Sequence, residues 1–212
     1  MAQYQNVSDL YTDVQKYVDT KEAYFISKIP AWVYFAETEL DRRLRHSAAE
    51  KVDVFTVSAG YDYLTAPKNL LELKSIRNRS NNQILYRQSY EKIYDIQNYS
   101  NQPIAFASVS NMYKLDKAVS TDTAFEVVYY IAPEKLDVSN SSNLYLIAVP
   151  DFLLWVALEQ AYIFDGQPDQ AQYWRNMAET SLAGLQEQLL RESYQGSTLV
   201  TWANSDNITR YY

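Results

Sequence analysis

Cysteine is absent from the 212 residues, which excludes disulfides, thiolate metal sites and a cysteine nucleophile. Histidine occurs once, as His46, so a multi-histidine metal centre is excluded and only one base remains for a serine triad. Glycine is scarce, at four residues, leaving little from which to build a phosphate-cradling loop. No apolar run approaches the ~18 residues needed to cross a bilayer. The first residues show no basic stretch leading into an apolar one, so no secretory signal is predicted. Positive charge is in deficit, 19 Lys+Arg against 26 Asp+Glu, which disfavours a dedicated nucleic-acid binder and suits an acidic, soluble surface.

Apolar residues make up 47% of the chain and charged residues 21%, the balance of a folded globular protein. Tyrosine is abundant, at 20 residues. Its apolar ring and polar tip suit half-buried strands and helix rims, and equally suit surfaces that become buried on assembly.

Spacing along the chain predicts helix first. Val7, Leu10, Tyr11, Val14, Tyr17 and Val18 recur at steps of three and four, with Asn6 or Ser8 able to cap the start and Asp19-Thr20 able to end it. A second stripe, Ile26, Ile29, Val33, Ala36, Leu40 and Leu44, predicts helix from about Ala23 to His46. Pro30 kinks this helix, divides it near Lys28-Ile29, or sits in the first turn of a helix starting there. Its opposite face carries Glu37, Glu39, Asp41, Arg42, Arg43 and Arg45, with Glu39 and Arg43 at ion-pair spacing. These six are candidates for contacts within the chain or between subunits. His46 is expected to cap the end of this helix.

From Val52 to Ile131 the period changes to two, and turn signals at Ala59-Gly60, Asn78 to Asn82 and Ser100 to Pro103 separate strand-like runs. Phe125 to Ile131 is the strongest. Ile104–Ser108 and Met112–Leu115 read as a hairpin about Ser110-Asn111, and Ser89 to Gln97 as a short helix. Helix returns at Pro150, nearly all apolar through Leu158, and breaks at Asp165-Gly166-Gln167-Pro168. A last stripe runs from Ala171 to Leu189.

The expected fold class is therefore α+β and mainly helical: an antiparallel four-helix body, a β-strand insertion between the second and third helices, and an extended C-terminal tail. The expected division is residues 1–48 for the N-terminal helices, 49–148 for the β-rich insertion, 149–192 for the C-terminal helices and 193–212 for the tail. The tail has no helical stripe yet carries Leu199, Val200, Trp202, Ile208, Arg210, Tyr211 and Tyr212. Such residues are too apolar for a solvating tail. They dock on the parent domain or anchor it to a neighbouring subunit or partner.

No phosphate-loop, dinucleotide, nucleophile-elbow or zincin motif occurs. Glu37 and Glu39 stand two apart on a helix and diverge by about 200°, so they cannot share a substrate. A carboxylate-pair hydrolase would need two of Glu37, Glu39, Asp41, Asp62, Glu72 and Asp151 facing one cleft. The residues predict no enzyme, no metal site and no cofactor.

Four segments in order resemble the head-to-tail adaptor proteins of short-tailed phages, also called tail accessory or head-completion factors. The helix Ala36-Glu37-Thr38-Glu39-Leu40-Asp41-Arg42-Arg43-Leu44-Arg45-His46 is similar to the family's AExELNRxLRH-like signature. Leu64 to Leu73 is similar to its LPxDFLEL-like segment, with the proline displaced to Pro67 and Asn69 in place of the acid. Val128 to Leu136 is similar to its YYxxIPxL-like strand. Val149-Pro150-Asp151-Phe152-Leu153-Leu154-Trp155 opens a helix like the family's YPDLYLYAALxEA. The resemblance covers about Val7 to Arg191. It implies a structural virion protein at the head-tail junction, made in the host cytoplasm. It further implies a homo-oligomeric ring, commonly a dodecamer, under the portal protein. Such a ring extends the DNA channel, passes genomic DNA as cargo and docks nozzle, hub or fibre proteins of the tail, with no membrane partner. The tail residues named above would then reach the portal. A tail-completion, nozzle or hub component is the alternative it leaves open.

Overall fold

The structure is a computed structural model and describes residues 4–194. Helix α1 spans Val7–Val18. Asn6 caps it reciprocally: its side chain accepts from the Asp9 N–H, and the Asp9 carboxylate accepts from the Asn6 N–H. Asp19, at φ 51°, ends the helix in the left-handed conformation that aspartate tolerates. The second predicted helix is divided. α2 covers only Ala23–Ile26 and α3 covers Ile29–Arg43, with Pro30 in the first turn of α3, where its missing N–H costs nothing. The chain then leaves the helix at Leu44, so Leu44 to His46 are not helical.

Eight strands follow: β1 (Glu50–Val57), β2 (Tyr63–Thr65), β3 (Leu70–Asn78), β4 (Gln83–Ile84), β5 (Tyr86–Gln88), β6 (Ala105–Val109), β7 (Met112–Leu115) and β8 (Thr123–Ile131). They form two four-stranded sheets, ordered β1-β8-β3-β4 and β2-β7-β6-β5. All pairings are antiparallel except β5 with β6. β8 is an inner strand of the first sheet, between β1 and β3. Its odd-numbered residues from Thr123 to Tyr129 are buried and its even ones half-exposed, which is the period-two pattern of its sequence. The β6–β7 hairpin turns at Ser110, φ 52°. The segment from Ser89 to Gln97 yields only a 3₁₀ turn at Ile93–Asp95.

Three helices complete the described chain: α4 (Leu144–Ala148), α5 (Pro150–Phe164) and α6 (Pro168–Tyr194). The expected four-helix body with a single strand insertion is thus corrected: among the described residues there are six helices, and the strands make two sheets. The reason is length. α2 and α4 have four and five residues, too few to show a helical stripe. β2, β4 and β5 have three residues or fewer, too few for an alternation.

Buried apolar residues fall into two clusters. One joins α1, α3, α4, α5 and α6, with Leu10, Leu40, Phe152, Leu153 and Leu158 at its centre. The other lies between the sheets and includes Ile76, Leu115, Phe125 and Val127. α5 packs against α1, α3, α4 and α6, which explains why it is apolar nearly all round. Leu153→Ala, at a fully buried position on α5, is expected to cost about 2–5 kcal/mol, while Phe35→Ala, half-exposed on α3, should cost less than about 1 kcal/mol. Urea unfolding of the two variants measures the difference.

Candidate functional site

The polar face of α3 is the most heavily charged surface named by the sequence, and its residues divide into four groups. Glu37 points inward and is fully buried. Its two carboxylate oxygens accept from the Leu136 N–H at 3.1 and 3.2 Å, and one also accepts from Asn143 Nδ2 at 2.6 Å. Burial pushes the Glu37 carboxyl up from its ordinary value, and the Asn143 and Leu136 hydrogen bonds offset only part of that. Asn143 also donates to the Glu134 carbonyl at 2.8 Å and caps α4 by accepting from the Leu146 N–H at 3.0 Å.

Asp41, one turn along, accepts from Lys135 Nζ at 2.5 Å and from the Tyr145 hydroxyl at 2.9 Å. Burial, reinforced by Asp41, pushes the Tyr145 phenol upward, so it stays a donor. Arg45 donates from Nε to Glu72 of β3 at 2.7 Å and from Nη1 to the Asp41 carbonyl at 2.8 Å. The Asp41–Arg45 spacing therefore closes through the backbone rather than through the carboxylate.

Glu39 and Arg43 turn toward α6. Arg43 bonds Glu39 at 2.6 Å and grips both oxygens of Glu179 at 2.7 and 2.5 Å. Arg175 grips both oxygens of Glu39 at 2.9 and 2.8 Å, reaches Glu179 at 2.5 Å and lies 3.4 Å from Glu159. Two guanidinium forks thus share three carboxylates from three helices. Hydrogen bonding to Arg43 is the main reason that the Glu179 carboxyl is held down at about 2. Burial alone would raise Glu39, but Arg175 and Arg43 outweigh it and hold that carboxyl below its ordinary value. Arg42 stands apart: it is exposed and has no side-chain partner among the described residues.

The expected cap role of His46 is corrected. Its Nδ1 accepts from the Ala48 N–H at 3.0 Å and so caps the 3₁₀ turn Ser47–Ala49, not the end of α3. Of the carboxylates considered for a hydrolase, Glu39 faces two arginines, Asp62 pairs with Lys114 and Glu72 with Arg45, while Glu37, held by Asn143, has Asp41 one turn away. Among the described residues no group of three or more acidic, histidine or cysteine side chains could hold a metal ion. No helix of the described residues is long and apolar enough to cross a membrane.

Arg175, Glu179, Glu159, Lys135 and Asn143 complete these contacts without being singled out by the sequence. Arg175 and Glu179 are visible there as an i,i+4 pair, but nothing local says which helix they meet. The tail candidates Leu199, Val200, Trp202, Ile208, Arg210, Tyr211 and Tyr212 lie outside the described residues.

Tyrosine and other apolar side chains stand out on the surface. Tyr24 and Phe164 are exposed beside buried Phe25 and Trp32, with ring centroids 4.9–5.9 Å apart. Tyr63, Tyr90 and Tyr94 cluster around Lys114, whose ammonium lies 4.6 Å from the Tyr63 ring and 5.7 Å from that of Tyr94.

Compared with known proteins, the chain matches one family: the model for SU10 adaptor protein covers residues 5–201, nearly the whole length. No curated protein matches it.

Glu179, lowered from its ordinary 4.5 to about 2, contributes stability that is present above the ordinary carboxylate range and lost as pH falls toward 2. Glu37, raised, acts with the opposite sign: its ionisation costs stability as pH rises above its ordinary value. Glu179→Gln is expected to flatten the acid limb of the stability profile, losing less than about 1 kcal/mol at neutral pH because the group is partly solvated. Urea titrations at several pH values read this out. Glu37→Ala, which strands the Leu136 N–H and the Asn143 amide, is expected to cost about 3 kcal/mol, with Glu37→Gln recovering much of it.

Proposed function

The chain belongs to the SU10 adaptor protein family, structural proteins of phages, and from that premise we propose that it is a head-to-tail adaptor of the virion. In this reading several copies form a ring beneath the portal protein, extend the DNA channel and give tail components a platform. The family match over residues 5–201 carries the proposal.

Three physical features support it. A net charge of −7 lets DNA slide past without being held. Exposed aromatics such as Tyr24, Phe164, Tyr34 and Tyr94 supply the surface that assembly interfaces enrich. Arg42, without a side-chain partner among the described residues, is left on α3 for a contact between copies, while its charged neighbours are engaged within the chain. The tail from Ser193 to Tyr212 is the proposed attachment segment, with Ile208, Arg210, Tyr211 and Tyr212 at its far end.

Light scattering tests the proposal. The chain is expected to join its phage's portal protein in a fixed multiple, and failure to associate would move the assignment to a nozzle, hub or tail-completion component. Deleting residues 193–212 is expected to leave the circular dichroism and melting of the body unchanged and to abolish the association. Replacing Tyr211 and Tyr212 together with Ala should weaken it by about 2 kcal/mol or more, measured by titration calorimetry.

A further inference from the structure

The helical and inter-sheet cores share no residue. Helices pack on helices and strands on strands, and no helix of the described residues packs against a strand beyond marginal contact. The helices and the strands thus form two lobes of one chain. Such lobes move relative to each other unless a large apolar interface joins them. Here they stand apart where they face: a cavity of about 540 Å³ separates Leu189 and Leu190 at the end of α6 from Glu50, Lys74 and Tyr130 on the face of β1, β3 and β8.

Two stretches of chain join the lobes, and they run side by side. One enters β1 at Glu50 and the other leaves β8 at Ile131, and Glu50 stands opposite Tyr130 in the ladder. In the first, Leu44 is buried in the helical core and donates its N–H to the Leu40 carbonyl at 2.8 Å. Arg45 and His46 lie between it and the 3₁₀ turn that leads into β1. In the second, Ala132 donates its N–H to the Asn69 carbonyl at 2.9 Å, on the β side. The Glu134 carbonyl accepts from Asn143 at 2.8 Å, on the helical side. Pro133 lies between these anchors and has no N–H to tie it to either lobe. Arg45 does reach Glu72 of β3, but the Glu72 side chain is 58% exposed and the pair starts from the connection itself, so it does not lock the lobes.

We infer that the β lobe swings as one body about the line through Arg45-His46 and Pro133, opening and closing the cavity beneath the end of α6. Two short connections side by side permit rotation about the line between them and resist sliding, which makes the motion a hinge and not a shear. A few residues at the ends of elements suffice to absorb such a turn. Neither core is disturbed by it, because no buried apolar residue belongs to both. The swing lets one chain fit neighbours at more than one angle without repacking. It goes beyond the adaptor reading and does not rest on it.

The absence of cysteine makes site-directed spin labelling clean. Three doubly labelled full-length chains are compared by pulsed electron–electron double resonance, all at exposed positions. Val54→Cys with Ala183→Cys spans the lobes, Val54→Cys with Met112→Cys lies within the β lobe, and Ser8→Cys with Ala183→Cys lies within the helical lobe. Each label of the spanning pair recurs in a control, so label mobility alone cannot widen only the spanning distances. The expected result is a distance distribution across the lobes about twice as wide as in either control. Adding Pro133→Gly is expected to widen it further and leave the controls unchanged. A spanning distribution as narrow as the controls, a control as broad as the spanning pair, or no response to Pro133→Gly would each overturn the hinge. No portal is present, so a failure here is separate from a failure of the adaptor reading.

Discussion

Glu37 carries a carboxyl group into the middle of the helical core, and that polar group is tolerable only because the return of the chain from β8 is shaped around it. The Leu136 N–H and the Asn143 amide both point at its carboxylate. Removing either donor would leave a buried acid without its compensation. The same asparagine caps α4, so the start of that helix, the loop before it and the middle of α3 are fixed together. Asp41 extends the seam by one turn through Lys135 and Tyr145. A hydrophobic contact could hold these segments together, but it would not fix their register. Directional bonds to one carboxylate do.

The second tie, between α3 and α6, differs in kind. Its guanidinium and carboxylate groups are part-exposed, so solvent screens them and their worth lies in orientation more than in energy. Together the two ties account for most of the charge that makes α3 conspicuous. A helix face that reads as a candidate subunit interface is, in the folded chain, largely occupied by its own neighbours. The surface left free of such contacts carries exposed tyrosine and phenylalanine, among them Tyr24, Tyr34, Phe35 and Phe164.

Long periodic segments are legible in the sequence because periodicity needs only local information. The stripe of α1 marks its residue limits, Pro30 marks a point of division, and β8 and the β6–β7 hairpin fall where alternation and the Ser110-Asn111 turn put them. α2, α4, β2, β4 and β5 are not legible, since each is shorter than a usable pattern. The division of the strands between two sheets is equally hidden. Nothing in a strand's own residues says which partner it will find. At the charged site the i,i+4 pairs are visible and the long-range ones are not: Arg175 meets Glu39 only through the packing of α5 and α6. Family membership shows through four weak segments in a fixed order, an arrangement that no composition argument supplies.

The two apolar cores are assembled from different stretches of chain, and that has a temporal consequence. Every residue of the inter-sheet core lies between β1 and β8, so that unit is complete once β8 has been made. The helical core needs both ends: Glu37 waits for Asn143, 106 residues later. At a synthesis rate of about 5–20 residues per second, α1 to α3 spend roughly 5–20 s on the ribosome with their apolar stripes uncovered. The inter-sheet core is therefore complete before the helical core, and α1 to α3 are the segment for which a chaperone would have most to do.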